Sequence, residues 1–463
     1  LDYLFIFVNF YLPNQKVETN RTYNTKFNTM LLTSYSFLFF FFPISLLGYF
    51  LFFEKNLKIK IIYLGFVSSY FYFLDNGPLL LILIFLAFLT KIQIETKIFN
   101  NFFYVSLSLT PLIVFKYSYI LFSLFGFETP IFIKNNFPIG LSFFTFQAIA
   151  YYFDKNRLQK NESTFEIFTF LAFFPQLLAG PIVDISTFRN GIKNIATKED
   201  IKSGIRRLSV GLLKKFLIAD TLAEITTIYI NSTNIENISF FSSFLLIFSY
   251  TFQIYFDFSG YCDIAIGLGY LFGFKLPENF NRPYLSKSFQ EFWQRWHITL
   301  SKFFKDHVYI PLGGNRVTKL KVYRNLWITF FCTALWHGSS LTFLFWGFLH
   351  GLFMTIEKIF NFNKLFSNRF VTLMLIGLTW VPFFAKNLGD VFYIYFGLFN
   401  FDFHNDYLAT LISQNIDFRY IVVSIICIFS LRLNIFRIPN SQSVSALLLL
   451  IAIVTVLSSS VDP

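Results

Sequence analysis

The chain of 463 residues is 55% apolar and 22% aromatic, and only 14% of its residues are charged. An ordinary soluble domain carries about 25% charged residues, so this composition excludes a soluble globular enzyme. The mean hydropathy is +0.56, and apolar runs near the bilayer-spanning length of about 20 residues recur along the chain. The sequence therefore predicts a helical membrane protein that crosses the bilayer several times.

The net charge of +12 is concentrated in two stretches. Residues 187–215 hold 8 basic and 2 acidic residues, and residues 275–325 hold 10 basic and 3 acidic residues. Basic clusters beside apolar spans are typical of cytoplasmic loops that face anionic lipid headgroups. We predict that both stretches are cytoplasmic and contact the lipid bilayer, and that the chain does not bind nucleic acid. The three cysteines form no CxxC pair, so neither a disulfide framework nor a metal site is predicted.

The first 29 residues resemble neither a membrane span nor a cleavable signal. Residues 1–12 are mostly apolar but too short to cross a bilayer, and residues 14–29 are polar without a small-residue cleavage site. A long apolar run then begins at Met30. We expect residues 1–29 to be a non-native or disordered N-terminal extension and residues 30–463 to form a single transmembrane domain.

The apolar runs after Met30 predict about 11 to 13 membrane segments, and several are shorter than the usual span of about 20 residues. Short, tilted or re-entrant helices are tolerated in a membrane only where protein or water covers their backbone polar groups. The predicted fold is therefore all-α, a polytopic membrane helical bundle with interfacial amphipathic helices around a central funnel or tunnel.

Polar residues inside apolar runs are the first functional candidates, because each is costly in a membrane unless it is paired or lines a cavity. The run 255–274 contains Asp257, Ser259 and Asp263. An unbroken helix would place the two carboxylates about 120° apart, whereas a break at Ser259 and Gly260 would bring them together. The carboxylates either cap the N-terminus of a following helix or orient a basic residue in a central site.

A second candidate region spans residues 288–316. Its apolar residues recur at spacings of three and four, which predicts an amphipathic helix in the membrane interface. His297 would share a face of that helix with Trp293 or Ser301, as a structural hydrogen-bonding residue or as part of a site. Residues 312–316 predict a turn and not a phosphate-binding loop. The apolar residues of the helix are Phe289, Phe292, Trp293, Trp296, Leu300, Phe303 and Phe304.

The third region, residues 325–358, places His337 near the middle of an apolar run. A histidine at that depth is a functional candidate, although a neighbouring helix could also satisfy it structurally. Gly338 removes a side chain beside the imidazole, which would let a ligand or another backbone approach closely. His350 is predicted to be a helix-end or packing residue.

Six blocks in order along the chain resemble the membrane-bound O-acyltransferase (MBOAT) family. The resemblance is to the bacterial branch that includes the alginate O-acetylation protein and the teichoic acid D-alanylation protein, and it extends from Met30 to about Trp380. The most specific blocks are EFWQRWHITLSKFFKDHVYIPLGGNR and ALWHGSSLTFLFWGFLHG. The blocks cover residues 34–43, 138–154, 173–183, 256–284, 291–316 and 334–351.

The resemblance implies that His297 and His337 are the family's two signature histidines and that His337 is the catalytic one. The family pattern is not kept at Cys262, at His307 or at Ser340 and Leu341, which leaves the size of the acyl chain open. We predict catalytic roles for His337 and His297. The predicted substrate-binding or tunnel residues are Trp336, Gly338, Ser339, Trp293, Trp296, Asp257, Ser259 and Asp263.

Acyl transfer from a thioester to a hydroxyl needs a base near neutral pH, and a histidine with an ordinary pKa of about 6.5 is suitable. The sequence has no Gly-x-Ser-x-Gly elbow and no convincing cysteine nucleophile, so direct transfer assisted by His337 is favoured over an acyl-enzyme. We expect no permanently bound cofactor. By resemblance, the acyl donor is acetyl-CoA or another cytoplasmic thioester.

The predicted function is transfer or relay of an acyl group, by resemblance an acetyl group, to an extracytoplasmic polysaccharide or cell-wall polymer. An extracytoplasmic transferase of the SGNH-hydrolase type is an expected partner, and the expected location is the inner (cytoplasmic) membrane of a bacterium, with several membrane passes. The alternatives are a transporter or polysaccharide-export subunit without chemistry, and an inactive scaffolding member of the family. The chain lacks the paired interrupted helices of inverted-repeat transporters.

Overall fold

The computed structural model describes residues 30–53, 56–155, 162–232, 235–360, 368–402, 406–432 and 442–459. All regular secondary structure in these ranges is helical, which confirms the predicted all-α fold. The expected N-terminal extension, residues 1–29, lies outside the described residues. The chain forms two compact units. Compact units need not fold independently, so the single domain expected over residues 30–463 stays a prediction.

The described residues of the first unit fall within Leu1–Ser209, Tyr261–Glu278 and Asn440–Leu449. Its first helix, α1, is flanked by the π-helical turns Phe37–Phe41 and Tyr49–Phe53. The last turn of α10 continues into the second unit. The helices are α1 (Phe42–Gly48), α2 (Leu57–Asn76), α3 (Leu80–Thr96), α4 (Asn101–Leu124), α5 (Ile131–Asn135), α6 (Leu141–Lys155), α7 (Thr164–Ala172), α8 (Phe174–Leu177), α9 (Ile185–Lys193) and α10 (Lys198–Leu213).

The described residues of the second unit fall within Val210–Gly260, Asn279–Pro439 and Leu450–Pro463. It includes the π-helical turns Lys214–Ala219 and Lys305–Tyr309 and the 3₁₀ turn Pro283–Leu285. Helices α12 and α21 contribute residues to both units. The helices are α11 (Asp220–Asn231), α12 (Phe240–Leu271), α13 (Phe289–Arg295), α14 (Ile298–Phe304), α15 (Lys319–His337), α16 (Leu341–Phe360), α17 (Arg369–Phe384), α18 (Leu388–Gly397), α19 (Tyr407–Asn415), α20 (Phe418–Ser430) and α21 (Gln442–Ser459).

Helix packing in the first unit relies on close approach and on a buried lysine. A Cβ on Gly65 of α2 would lie 2.7 Å from the Thr169 hydroxyl of α7, so only glycine lets these helices come this close. The buried Lys60 Nζ donates hydrogen bonds to the carbonyls of Gly191 (3.0 Å) and Asn194 (2.6 Å). These carbonyls lie at the C-terminus of α9, where the helix dipole favours a cation.

In the second unit, α15 and α16 pack against each other, and α16 also contacts α13, α17 and α18. The contact between α15 and α16 is close because Gly347 has no side chain. A Cβ there would lie 2.7 Å from the Ala334 Cβ and 3.0 Å from the Phe330 carbonyl oxygen. This arrangement places the end of α15, at His337, beside the buried aromatic residues of α16.

Three helical stretches in the described residues are long and apolar enough to cross a membrane, namely Leu57–Thr96, Asn101–Leu124 and Leu341–Phe360. Helices α19 and α20 meet at 94° and form a fourth if they are one broken span. These apolar helices agree with a membrane bundle. The expected 11 to 13 membrane segments stay a prediction, because several of the predicted runs form helices too short to count as spans on length alone.

Candidate active site

The two candidate aspartates of α12 lie within a continuous helix, because α12 runs from Phe240 to Leu271 without interruption at Ser259 or Gly260. Of the two alternatives, the unbroken helix is the one observed, and the break that would have brought the carboxylates together is absent from α12. The predicted capping role is wrong, since both carboxylates lie inside a helix and not before one.

Each aspartate is paired with a basic residue instead. Asp257, in the second unit, lies 2.9 Å from the Lys215 Nζ, which is also 2.9 Å from an oxygen of Asp220. Asp263, in the first unit, lies 2.5 Å from the Arg207 Nε. Both carboxylates thus pair with a basic residue, but the structure brings neither of them to a histidine, and their part in a central site stays a prediction.

The predicted amphipathic helix of residues 289–304 is broken at Trp296 and His297, so the expectation of one continuous helix is wrong. Helix α13 ends at Arg295 and α14 begins at Ile298. His297 has φ of 43° and ψ of 54°, in the left-handed region, which is unfavourable for a residue with a side chain. The chain turns there, and His297 does not line up with Trp293 along one helix. The predicted turn over residues 312–316 is confirmed, with positive φ at Gly313 and Gly314.

The His297 imidazole is buried among aromatic rings. Its ring centroid lies 4.7 Å from Phe258, 6.5 Å from Phe280 and 6.1 Å from Trp336. Its Nδ1 lies 3.2 Å from the Asn279 Oδ1. Burial lowers the pKa of His297 to about 3, so the imidazole stays neutral at physiological pH and one of its nitrogens can accept a hydrogen bond.

His337 is the last residue of α15 and is only partly buried. Its ring centroid lies 4.5 Å from Trp336, 4.8 Å from Trp346 and 4.9 Å from Phe383. The apolar run around it is thus two helices, α15 and α16, joined by residues 338–340. Aromatic rings orient the imidazole while part of it stays accessible.

Gly338 allows another group to approach closely, as the sequence predicted. The group that occupies the space is the side chain of Phe343. A Cβ at Gly338 would collide with the ring of Phe343. The Phe343 ring lies 6.3 Å from the His337 ring at an interplanar angle of 16°. Ser339, in the loop that follows, is partly exposed.

The structure brings the two candidate histidines to the same indole, since His297 and His337 both contact Trp336. Trp296 packs beside this group, with its ring centroid 5.0 Å from that of Phe280, which contacts His297. Four of the predicted residues are therefore clustered, namely His297, His337, Trp336 and Trp296. The buried Ser259 lies in α12 next to Phe258, which contacts His297.

His350 is a fully buried packing residue, as predicted, but it lies inside α16 and not at a helix end. Its Nδ1 accepts a hydrogen bond from the Trp293 indole at 3.3 Å. About one turn earlier in α13, the amides of Phe289 and Gln290 donate to the Glu357 carboxylate at 2.5 and 3.1 Å. His350 and Glu357 therefore fasten α13 to α16 at two points.

A cavity of about 1060 Å³ lies within the second unit, beside this cluster. Its wall includes Trp293 and Thr333, and Thr333 lies one helical turn before His337 in α15. Trp346 contacts both Trp293 (5.9 Å) and His337 (4.8 Å). The basic residues that line the cavity are Lys305, Lys319 and Lys358.

Sequence reasoning did not identify Lys215, Asn279 or Trp346 as parts of this region. Asn279 is 18 residues before His297 and Lys215 is 42 residues before Asp257, so no periodicity links either pair. The excess of basic residues in 187–215 was the one available signal for Lys215, because a lysine beside an apolar run needs a counter-ion if it is buried.

Comparison with known proteins identifies the class to which this fold and site belong. The sequence profile of MBOAT, the membrane-bound O-acyltransferase family, matches residues 63–384. This match covers more than half of the chain and includes both candidate histidines. The chain therefore belongs to the MBOAT family and is an acyltransferase, as its resemblance in sequence indicated.

Several bacterial relatives support this assignment. The chain is 35% identical to the peptidoglycan O-acetyltransferase of Helicobacter pylori over 441 residues, which cover 82% of the chain and 80% of that protein. It is 39% identical over 272 residues to the probable alginate O-acetylase AlgI of Pseudomonas syringae, covering 57% of the chain and 52% of that protein. It is 30% identical over 260 residues to the teichoic acid D-alanyltransferase of Bacillus subtilis, covering 52% of the chain and 65% of that protein.

Proposed function

We propose that the protein transfers an acyl group, in the first instance acetyl, from a cytoplasmic thioester to a hydroxyl of an extracytoplasmic polysaccharide or cell-wall polymer. The observation that carries this proposal is the position of His337, which is partly exposed. Its ring contacts Trp346, and Trp346 contacts Trp293 in the wall of a large basic cavity. The relatives act on polymers of this kind by name. The expected location is the inner membrane of a bacterium, with several membrane passes.

The cavity is suited to the donor. A phosphate-bearing thioester such as acetyl-CoA is anionic and long, and Lys305, Lys319 and Lys358 provide positive charge in a cavity of about 1060 Å³. Lys305 and Lys319 belong to the basic stretch 275–325, which the positive-inside bias places on the cytoplasmic side. The thioester end would approach Thr333 and Trp293, next to His337.

In this reaction His337 acts as the general base. Its imidazole takes the proton of the acceptor hydroxyl while the hydroxyl oxygen attacks the thioester carbonyl carbon, which forms the C–O bond and breaks the C–S bond. The imidazolium then returns the proton to the departing thiolate. General acid–base assistance of this kind contributes about 10²- to 10⁴-fold to a rate. Where the polymer is not itself the acceptor, an extracytoplasmic SGNH-hydrolase-type transferase receives the acyl group and completes the transfer.

The test compares the variants His337→Ala and His337→Gln in a deletion strain that expresses the full chain. Both should retain wild-type abundance and thermal stability, since the ring is only partly buried, while ester-linked acyl groups on cell-envelope glycans fall by about 10²- to 10⁴-fold. His307→Gln, which changes a histidine outside the cluster, is the matched control and should retain full acylation.

An active and stable His337→Gln variant would refute the role of His337 as base, because glutamine keeps hydrogen bonding without a suitable pKa. Loss of the polymer from the cell surface in the deletion strain, with normal acylation of the polymer retained inside, would favour the export alternative. A parallel fall of abundance, melting temperature and activity in both variants would instead make His337 a structural residue.

A further inference from the structure

Asn279 stabilises the left-handed backbone conformation at His297. The Asn279 carbonyl oxygen accepts a hydrogen bond from the Ile298 amide at 2.9 Å. Its side-chain Oδ1 accepts from the Thr299 amide at 3.1 Å and from the Thr299 hydroxyl at 3.0 Å. These bonds offset the cost of a left-handed residue that has a side chain. Asn279 is 1% exposed, so water does not compete for them.

The same bonds determine which way the Asn279 amide points. A backbone N–H can only donate, so the side-chain atom that faces the Thr299 amide must be the oxygen and not the NH₂ group. The His297 Nδ1 lies 3.2 Å from this same oxygen. Because the oxygen can only accept, the His297 Nδ1 must carry a hydrogen.

A neutral imidazole has one protonated nitrogen, so the lone pair of His297 is on Nε2. We propose that Asn279 is a positioning residue that fixes His297 as the Nδ1–H tautomer, so that Nε2 accepts a hydrogen bond from the acyl acceptor or the departing thiol. The aromatic rings of Phe258, Phe280 and Trp336 surround the imidazole. The chemistry of the imidazole therefore depends on its two ring nitrogens. This inference rests on the proposed acyl transfer for its functional consequence.

His350 holds the opposite tautomer by the same reasoning. The Trp293 indole N–H can only donate, and it lies 3.3 Å from the His350 Nδ1. The His350 Nδ1 is therefore the acceptor, and its Nε2 carries the hydrogen. His350 thus serves as an internal reference for the tautomer of His297.

The test is ¹⁵N solid-state NMR on the full chain labelled at its five histidines and reconstituted in lipid vesicles. The signals of His297 are assigned by their loss in His297→Asn. We expect a neutral imidazole with hydrogen on Nδ1 for His297 and on Nε2 for His350. Hydrogen on Nε2 of His297 in the wild-type protein would overturn the proposal directly, and this measurement needs no variant of Asn279.

Two substitutions at Asn279 connect the tautomer to the reaction. Asn279→Leu removes the acceptor and should shift His297 toward the Nε2–H tautomer, with kcat at least 10-fold lower and KM for the thioester donor unchanged. Asn279→Asp keeps an acceptor oxygen and should retain the Nδ1–H signal and most of kcat. Thr299→Val removes another bond to the same oxygen and is the matched control, which should retain both.

The outcomes separate this inference from the proposed function. An Asn279→Leu variant that folds and keeps the Nδ1–H tautomer, or that loses it with kcat unchanged, refutes the positioning role. If the wild-type tautomer is as assigned but His297→Ala acylates the polymer at the wild-type rate, then His297 has no part in the reaction. In that case the assignment of the tautomer stands and the functional consequence fails.

Discussion

Removal of the lysine from the buried Lys215–Asp257 pair should destabilise the protein more than removal of the whole pair. The Lys215 Nζ lies 2.9 Å from both Asp220 and Asp257, and the side chains of Lys215 and Asp257 are 7% and 11% exposed. Lys215→Met leaves the Asp257 carboxylate buried without its cation, which costs about 3–5 kcal/mol. Asp220 is 26% exposed and can be hydrated instead.

The double variant Lys215→Met/Asp257→Leu removes both charges and should recover most of this loss, because apolar replacement of a buried ion pair is often neutral. The assay is thermal unfolding in detergent, followed by the fraction of protein that stays unaggregated on size exclusion. A loss of 3–5 kcal/mol corresponds to a fall in Tm of about 3–5 °C for a chain of this size.

The matched control is Lys202→Met, which removes an exposed pair with Glu199 and should cost less than about 1 kcal/mol. Additive losses in the double variant, or a Lys215→Met variant as stable as the wild type, would show that the pair is not energetically coupled. Acylation by the stable double variant would further show that Asp257 does not bind substrate.

Three further results are expected. Gly338→Ala should lower polymer acylation on the order of 10-fold or more at equal abundance, because the new methyl group displaces the Phe343 ring that packs on His337; unchanged activity would contradict this. Acid should destabilise the wild type, because the unfolded His297 binds a proton below its ordinary pKa of about 6.5 while the buried ring does not. This protonation of the unfolded chain lowers the free energy of unfolding by about 2 kcal/mol at pH 5. Between pH 7.5 and pH 5, Tm should therefore fall less in His297→Asn than in the wild type, and equal falls would refute this reasoning. Cysteines placed at Lys198 and Lys319 should not be labelled by an impermeant thiol reagent in intact cells. Ready labelling of either would show that its segment lies on the extracytoplasmic side.

The sequence by itself determined the class of the protein. Low charge and recurring apolar runs predict a membrane helical bundle through the hydrophobic effect alone, without knowledge of any contact. The ordered motifs identified the family and singled out His297 and His337, and the pattern at residues 312–316 predicted a turn that the structure contains. These properties depend on composition or on neighbouring residues, which a sequence displays directly.

Only the tertiary structure decided how the candidate residues are arranged. The chain breaks at His297 and not at Ser259, because Asn279 provides hydrogen bonds that stabilise a left-handed backbone there. Asp257 has Lys215 as its partner, and the two histidines meet at Trp336, which is far from His297 in sequence. Such pairings bring together residues separated by tens of positions, and their stability comes from burial and geometry after the helices pack. Local periodicity therefore contains no signal for them.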